Sequence, residues 1–154
     1  MTTILEFAFS IPALLMLALA VFFALEIAGA LLPLRRPPRS EPGPIAVVVP
    51  AHDEAALIEA TLAAVASQLR EGDRLIVVAD NCADETARIA REAGAQTLER
   101  IDPARRGKGY AMQFALDALK DRPPEIVVFI DADCIVGPEA IVSVAAAAAA
   151  ASRP

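Results

Sequence analysis

The first feature along the chain is an apolar run. Residues 7–25 hold no charged side chain, and after Glu26 the run resumes as far as Leu34. About 20 apolar residues cross a hydrocarbon core as a helix, so residues 1–34 predict one transmembrane helix, with Pro12 near its start. Beyond it the period changes. Residues 45–49 are continuously aliphatic and end at Pro50, as in a strand buried on both faces. Ile58, Leu62, Val65 and Leu69 make a helical stripe over residues 55–69. After the Gly72-Asp73 turn, residues 75–79 form a second aliphatic run. Asn81 is placed to cap the helix that follows, with Asp84 and Glu85 in its first turn and Gly94 just past its end. Residues 96–99 read as a weak third strand. Residues 108–119 read as a helix with Ala111, Phe114, Ala115 and Ala118 on one side. Residues 125–130 are the most apolar strand, and Pro138 opens a last helix where its missing N–H costs nothing. The alternation predicts an α/β fold: a parallel, Rossmann-like sheet with right-handed crossovers and helices on both faces.

Between the apolar helix and this pattern, residues 33–44 carry five prolines, three arginines and a glycine, so residues 35–44 read as an extended linker. No Lys or Arg precedes the apolar run, whereas Arg35, Arg36 and Arg39 follow it. That asymmetry places the C-terminal side in the cytoplasm, giving a single-pass inner (plasma) membrane protein. A secretory signal is the rival, since Ala28-Gly29-Ala30 resembles a cleavage site, but the basic start and short apolar core of a signal are absent. Glu26 reads as the interfacial end of a long tilted helix, against the alternative of an intramembrane functional carboxylate.

Composition adds exclusions. The net charge of −6 leaves no basic stripe for a general nucleic-acid binder. Cys82 and Cys134 are too few for a disulfide framework, and read as small buried thiols, not a redox pair, kept reduced in the cytoplasm. Apolar residues reach 56%, the excess lying in the first 34 residues and in the alanine run 145–151, which shows no core-forming stripe.

In parallel sheets ligands bind beyond the carboxyl ends of the strands. Those ends carry His52-Asp53-Glu54, Asp80-Asn81, residues 105–109 and Asp131-Ala132-Asp133. So many carboxylates repel each other without a cation or a hydrogen-bonding ligand. Asp131 and Asp133, at i and i+2 of extended chain, point the same way, and their hard oxygens suit Mg²⁺ or Mn²⁺ bridging a diphosphate. Gly107-Lys108-Gly109 lacks the spacing of a Walker loop and suits an anion beside a helix N-terminus; the alternative is a solvated basic turn. No dinucleotide-binding glycine motif is present, and His52 has no second His or Cys at zinc-like spacing. Tyr110, Met112 and Phe114 read as helix packing.

The four segments VVVPAHDEAALIEATLAAV, VVADNCADET, RRGKGYAMQFAL and VVFIDADC, in this order, resemble the family 2 glycosyltransferases of GT-A fold over residues 45–141. The likeness is greatest to membrane-associated, exopolysaccharide-type members. It implies a nucleotide-binding half beginning at residue 45, a nucleotide-sugar donor (usually a UDP-sugar), Mg²⁺ or Mn²⁺ as cofactor, and a glycan or lipid-linked acceptor at the membrane. Pro50, Ala51 and Glu54 then fall in the opening loop that contacts the nucleoside. Asp80 falls at the aspartate that bonds the base, where it would favour uracil over cytosine. Lys108 falls near the nucleotide. Asp131 and Asp133 fall at the DxD, with Asp133 the direct metal ligand and Asp131 nearer the ribose. The resemblance places the catalytic base downstream of the DxD, and no Glu-Asp pair, Gln-Arg-Trp motif or tryptophan follows here. Glu139 is the one acidic residue after Asp133, and it stands at a helix start where it is not expected to serve. Residues 45–154 therefore read as a domain truncated after the DxD, with an unprotected sheet edge. Two function classes follow: a membrane-anchored glycosyltransferase represented by its donor half, or a non-catalytic fragment that binds nucleotide and metal. Haloacid-dehalogenase phosphotransferases also carry Asp-x-Asp after a strand, but on the first strand with Thr or Val two residues later. Here the motif follows the fourth strand and precedes Cys134-Ile135.

Overall fold

The computed structural model describes residues 2–31 and 42–151, with residues 2–9 as backbone only. The predicted linker arginines Arg35, Arg36 and Arg39 lie outside the described residues. The chain divides into two compact units between Arg36 and Pro37.

The first unit is one helix, α1 (Thr2–Leu31). Its segment Ser10–Leu31, 22 residues of mean hydropathy 2.5, is long and apolar enough to cross a membrane. At 1.5 Å per residue it measures about 33 Å, against a hydrocarbon core of about 30 Å. Pro12 does not start the helix but lies inside it, ten residues from Thr2. Only one intrahelical donor is lost there, a defect that apolar helices tolerate.

The second unit holds β1 (Ile45–Ala51), α2 (Ile58–Ala66), β2 (Arg74–Asp80), α3 (Thr86–Glu92), β3 (Gln96–Arg100), α4 (Lys108–Leu119), β4 (Ile126–Phe129) and α5 (Ala140–Ala151). The four strands pair in the order β3-β2-β1-β4, all parallel. Side chains alternate across the sheet. Val47, Val49, Ala51 and Val77 join α2, α3 and α5 in one core. Ala46, Val48, Ile76 and Val78 meet Ala111, Ala115 and Leu119 of α4 in the other. Both faces of β1 and β2 are buried, which explains their unbroken aliphatic runs; each fully buried Val or Ile contributes about 1.5–3 kcal/mol.

Several boundaries differ from the pattern. β1 runs through Pro50 to Ala51, with Pro50 opposite Val78. Val48 accepts from the Ile130 N–H, so in a parallel ladder the next bond toward β4 would be donated by residue 50. Proline has no N–H, and the β4 ladder stops there while pairing with β2 continues. Residues 55–57 precede α2 because their loop is bonded elsewhere, and α2 ends at Ala66, where the Gln68 N–H turns back to Val65. α3 begins at Thr86, so Asp84 and Glu85 precede it and Asn81 does not cap it. Gly94, at φ 82°, closes α3 as anticipated: its N–H reaches Arg91 and that of Ala95 reaches Ala90, a Schellman turn. On α4 the buried stripe is Ala111, Ala115 and Leu119, leaving Phe114 and Ala118 exposed. α5 starts at Ala140, two residues after Pro138, because Glu139 has a left-handed φ of 58°. Its alanine run does carry a core stripe, with Ile141, Ala145 and Ala146 buried.

The end of the expected linker is fastened to the sheet. The Arg70 guanidinium donates to the Pro42 and Gly43 carbonyls at 3.2 and 3.1 Å, and the Gly43 N–H donates to Glu125 Oε2 at 2.6 Å. Asp73 anchors the first residue of β1: its carboxylate, 2% exposed, accepts from the Ile45 N–H at 2.9 Å and the Arg70 N–H at 2.8 Å. Burial raises the Asp73 pKa, but those N–H groups and the Arg70 guanidinium more than offset it and hold the carboxyl below its usual range. Stability from Asp73 is therefore present above the unfolded value of about 3.9 and lost as pH falls through the lower folded value. Asp73→Asn is expected to cost about 1–3 kcal/mol at neutral pH in urea denaturation of the full chain in detergent. The difference from wild type should close in strong acid; a gap that persists there would refute the assignment.

Candidate functional site

The carboxyl ends of β1, β2 and β4 and the first turn of α4 surround a cavity of about 380 Å³. Its walls include Pro50, Ala51, Glu54, Asp80, Lys108, Asp131 and Asp133, so the topology brings together the seven residues that the family resemblance pointed to, while Asp53, Arg105 and Gly109 of the same strand-end loops do not line it. His52, Asn81, Arg106, Gly107, Ala111 and Ala132 complete the lining.

Two loops on one side are joined by reciprocal bonds. Asp53, two residues beyond β1, and Asn81, the first residue beyond β2, take left-handed φ values of 55° and 54°. Such conformations favour Asp and Asn and cluster at functional sites. Asp53 Oδ1 accepts from the Ala83 N–H at 2.7 Å, while the Ala55 N–H donates to Asp84 Oδ2 at 3.0 Å and the Glu54 N–H to the buried Thr86 Oγ1 at 2.8 Å. The Thr86 hydroxyl donates to Asp84 Oδ1 at 2.5 Å and holds the Asp84 carboxyl below its usual range. Burial pushes the Cys82 thiol up, so it stays protonated and inert. His52 Nδ1 lies 2.7 Å from the Asp80 carbonyl, which fixes the ring as a loop residue.

Asp80, 8% exposed at its side chain, is held by Arg100 from the end of β3, directly opposite in register. Arg100 Nη1 donates to Asp80 Oδ1 at 2.6 Å, and its Nη2 reaches Asp102 Oδ2 at 3.3 Å. The guanidinium lies 5.5 Å from the centroid of the Tyr110 ring on α4, a cation–π contact. Asn81 bridges the same group: its Nδ2 donates to Asp80 Oδ1 at 3.0 Å and its Oδ1 accepts from the Asp102 N–H at 2.7 Å. This bridging occupies the side chain expected to cap α3. Arg105 turns away to Asp102, Nε to Oδ2 at 2.7 Å, leaving Arg106 at the cavity.

Asp131 and Asp133 lie in a turn, not in extended chain, closed by the Cys134 N–H donating to the Asp131 carbonyl at 3.1 Å. The buried Thr61 on α2 pins that turn, its hydroxyl 2.8 Å from the Ala132 carbonyl and 3.1 Å from that of Cys134. One ligand atom each from Asp131, Asp133 and Cys134 falls within 4.8 Å of the others, and all three are exposed. Two convergent, exposed carboxylates are a hard donor set that fits Mg²⁺ or Mn²⁺. Lys108 reaches across to pair with Asp131. Gly107, at φ 118° and ψ 153°, turns the chain into α4 in a conformation open to glycine alone, and with Lys108 it brings the start of that helix to the cavity wall.

The expected repulsion at this edge is relieved mainly from within the chain. Arg100 neutralises Asp80, Arg105 neutralises Asp102, and Lys108 neutralises Asp131. Among the described residues, no cation pairs with Glu54 or Asp133.

A family model described as glycosyltransferase-like family 2 matches residues 42–152. The chain belongs to that family. Solved structures agree with the family 2 assignment and with its GT-A fold. Glucosyl-3-phosphoglycerate synthase from Mycobacterium tuberculosis, in complex with UDP, is 34% identical, with a TM-score of 0.52 over 60% of this chain and 35% of its own. A complex of that synthase with Mn²⁺, UDP-glucose and phosphoglyceric acid gives 34% identity and a TM-score of 0.52 over 60% and 34%. A further structure of the M. tuberculosis synthase gives 36% and 0.53 over 60% and 36%. The chain thus spans about a third of the length of these solved structures. No curated protein matches.

Sequence reading of this family 2 domain missed Arg100, Asn81 as a bridge, and Thr61. Arg100 ends a strand with little apolar signal, yet it is the strand-end cation in register with Asp80. Thr61 is the polar position inside the buried stripe of α2. Replacing Arg100 by Met leaves the Asp80 carboxylate buried without its cation. A loss of about 3–5 kcal/mol in denaturant unfolding is expected, against a smaller loss for Arg100→Lys. Equal stability of the Met variant and wild type would show that the pair holds nothing.

Proposed function

We propose that the cavity binds a UDP-sugar together with Mg²⁺ or Mn²⁺, as the donor site of a glycosyltransferase acting on a glycan or lipid-linked acceptor at the cytoplasmic face of a membrane. The observation that carries this reading is the convergence of four separate motifs on one cavity, with Asp133, which pairs with no cation among the described residues, at its wall. Asp80, oriented by Arg100, accepts from the N3–H of uracil. Pro50, Ala51 and Glu54 line the nucleoside side. Lys108, Arg106 and the first turn of α4 face the diphosphate, where helix N–H groups and cations stabilise anionic oxygens. Asp131 and Asp133 hold the cation, with Asp131 nearer the ribose. When bound, the cation supplies charge stabilisation to the departing diphosphate.

In the overall reaction the bond from the anomeric carbon to the diphosphate oxygen breaks, a bond to an acceptor hydroxyl oxygen forms, and that hydroxyl loses its proton to a base. No residue of this cavity is assigned that role. The segment α1 anchors the domain, and Arg35, Arg36 and Arg39 keep it cytoplasmic.

Titration of the full chain in detergent with UDP should show binding that Mn²⁺ strengthens. Asp133→Ala is expected to abolish the Mn²⁺-dependent part; unchanged Mn²⁺ dependence would remove the metal assignment. Asp80→Asn turns the acceptor facing the base into a donor. It is expected to weaken UDP about ten-fold or more while leaving pyrophosphate within about two-fold, since a lost charged hydrogen bond costs roughly 1.5–3 kcal/mol. Orientation is checked with an impermeant thiol reagent on a Cys82→Ser chain. The exposed Cys134 should label in inverted membrane vesicles and not in right-side-out ones.

A further inference from the structure

We propose that Lys108 is an exchangeable counter-ion: its ammonium holds Asp131 until a divalent cation takes that carboxylate, and is then released toward the diphosphate. The inference rests on the donor-site reading above and adds an order to its binding events.

The two cation–carboxylate pairs at this edge are built differently. Arg100 and Asp80 are 9% and 8% exposed, and the guanidinium is tied to Asp102 and Tyr110 as well. Lys108 and Asp131 are each 51% exposed. Among the described residues, the Lys108 ammonium has no other ionic partner. A lysine ammonium rides on four flexible carbons, so it leaves a carboxylate without rebuilding its surroundings. Its own backbone sits between Gly107 and Gly109, where added Cβ atoms would meet nothing within 4 Å, so the loop is not wedged in place.

The exchange follows from competition for one oxygen. Lys108 contacts Asp131 Oδ1, and Asp131 supplies one of the three donor atoms that fall within 4.8 Å of each other. An ammonium and a divalent ion cannot share that carboxylate closely without like-charge repulsion. Free metal therefore binds against a resident competitor. A nucleoside diphosphate offers Lys108 another anion and so clears Asp131. By linkage, nucleotide and metal then raise each other's affinity by the same factor.

The test is Mn²⁺ binding without nucleotide, read by electron paramagnetic resonance of free Mn²⁺ with the full chain in detergent. Lys108→Met should bind Mn²⁺ about two- to five-fold more tightly than wild type, the range an exposed ion pair commands. Lys108→Arg, which keeps the pair, should match wild type. Arg106→Gln removes the same charge from the same cavity without releasing Asp131, and should change affinity less than Lys108→Met. Equal effects of Arg106→Gln and Lys108→Met, or no tightening in Lys108→Met, would overturn the exchange while leaving the donor-site reading intact. Absence of saturable Mn²⁺ binding in both wild type and Lys108→Met would overturn the exchange, and the donor-site reading falls with it if UDP binding also shows no strengthening by Mn²⁺.

Discussion

The buried pair between Asp80 and Arg100 is the contact on which the binding edge depends. A carboxylate removed from water at the end of a central strand is costly unless a cation and hydrogen bonds meet it there. Arg100 supplies the cation and Asn81 a further donor, and through them the ends of β2 and β3, the loop at Asp102 and the ring of Tyr110 on α4 become one unit. None of the residues lining the cavity comes from β3. That strand reaches the site through its ladder with β2 and through Arg100, which gives a weakly apolar edge strand a clear function.

Around this pair the chain uses two kinds of cohesion. The sheet is held chiefly by aliphatic burial on both faces. The loops beyond it are held by side chains bonded to the backbone: Asp53, Asp84 and Thr86 accept N–H groups between the first two loops, and the Thr61 hydroxyl donates to two carbonyls beneath the turn of Asp131 and Asp133. These bonds replace the ladder that ends with the strands. They satisfy the backbone without bulky side chains, so the edge stays open while its geometry is fixed.

Much of this was legible in the sequence because it rests on period and position. Continuous aliphatic runs marked β1, β2 and β4, and the rule that parallel strands deliver their ends to one edge gathered Glu54, Asp80, Lys108, Asp131 and Asp133, to which the family resemblance added Pro50 and Ala51. What was not legible depends on which of several similar polar groups takes a partner. Asn81 has the chemistry of a helix cap and instead bridges two loops; Pro138 has the chemistry of a first helical residue and instead precedes Glu139 in a left-handed turn. The alanine run of α5 looked featureless because small residues carry little periodic signal, yet Ala145 and Ala146 pack closely against the sheet. Arg100 escaped because its meaning lies in strand register, which no local pattern reveals.

The proline in β1 has one more consequence. Pro50 withholds the donor that would carry the seam between β1 and β4 one step further, and the chain is released immediately before Asp131. An unbroken seam would zip the two strands together across the place where the two carboxylates now swing into their turn. The end of that seam is thus set by covalent structure, before Thr61 and the Cys134 N–H shape the turn beyond it. No thermal fluctuation of this backbone can supply the missing hydrogen.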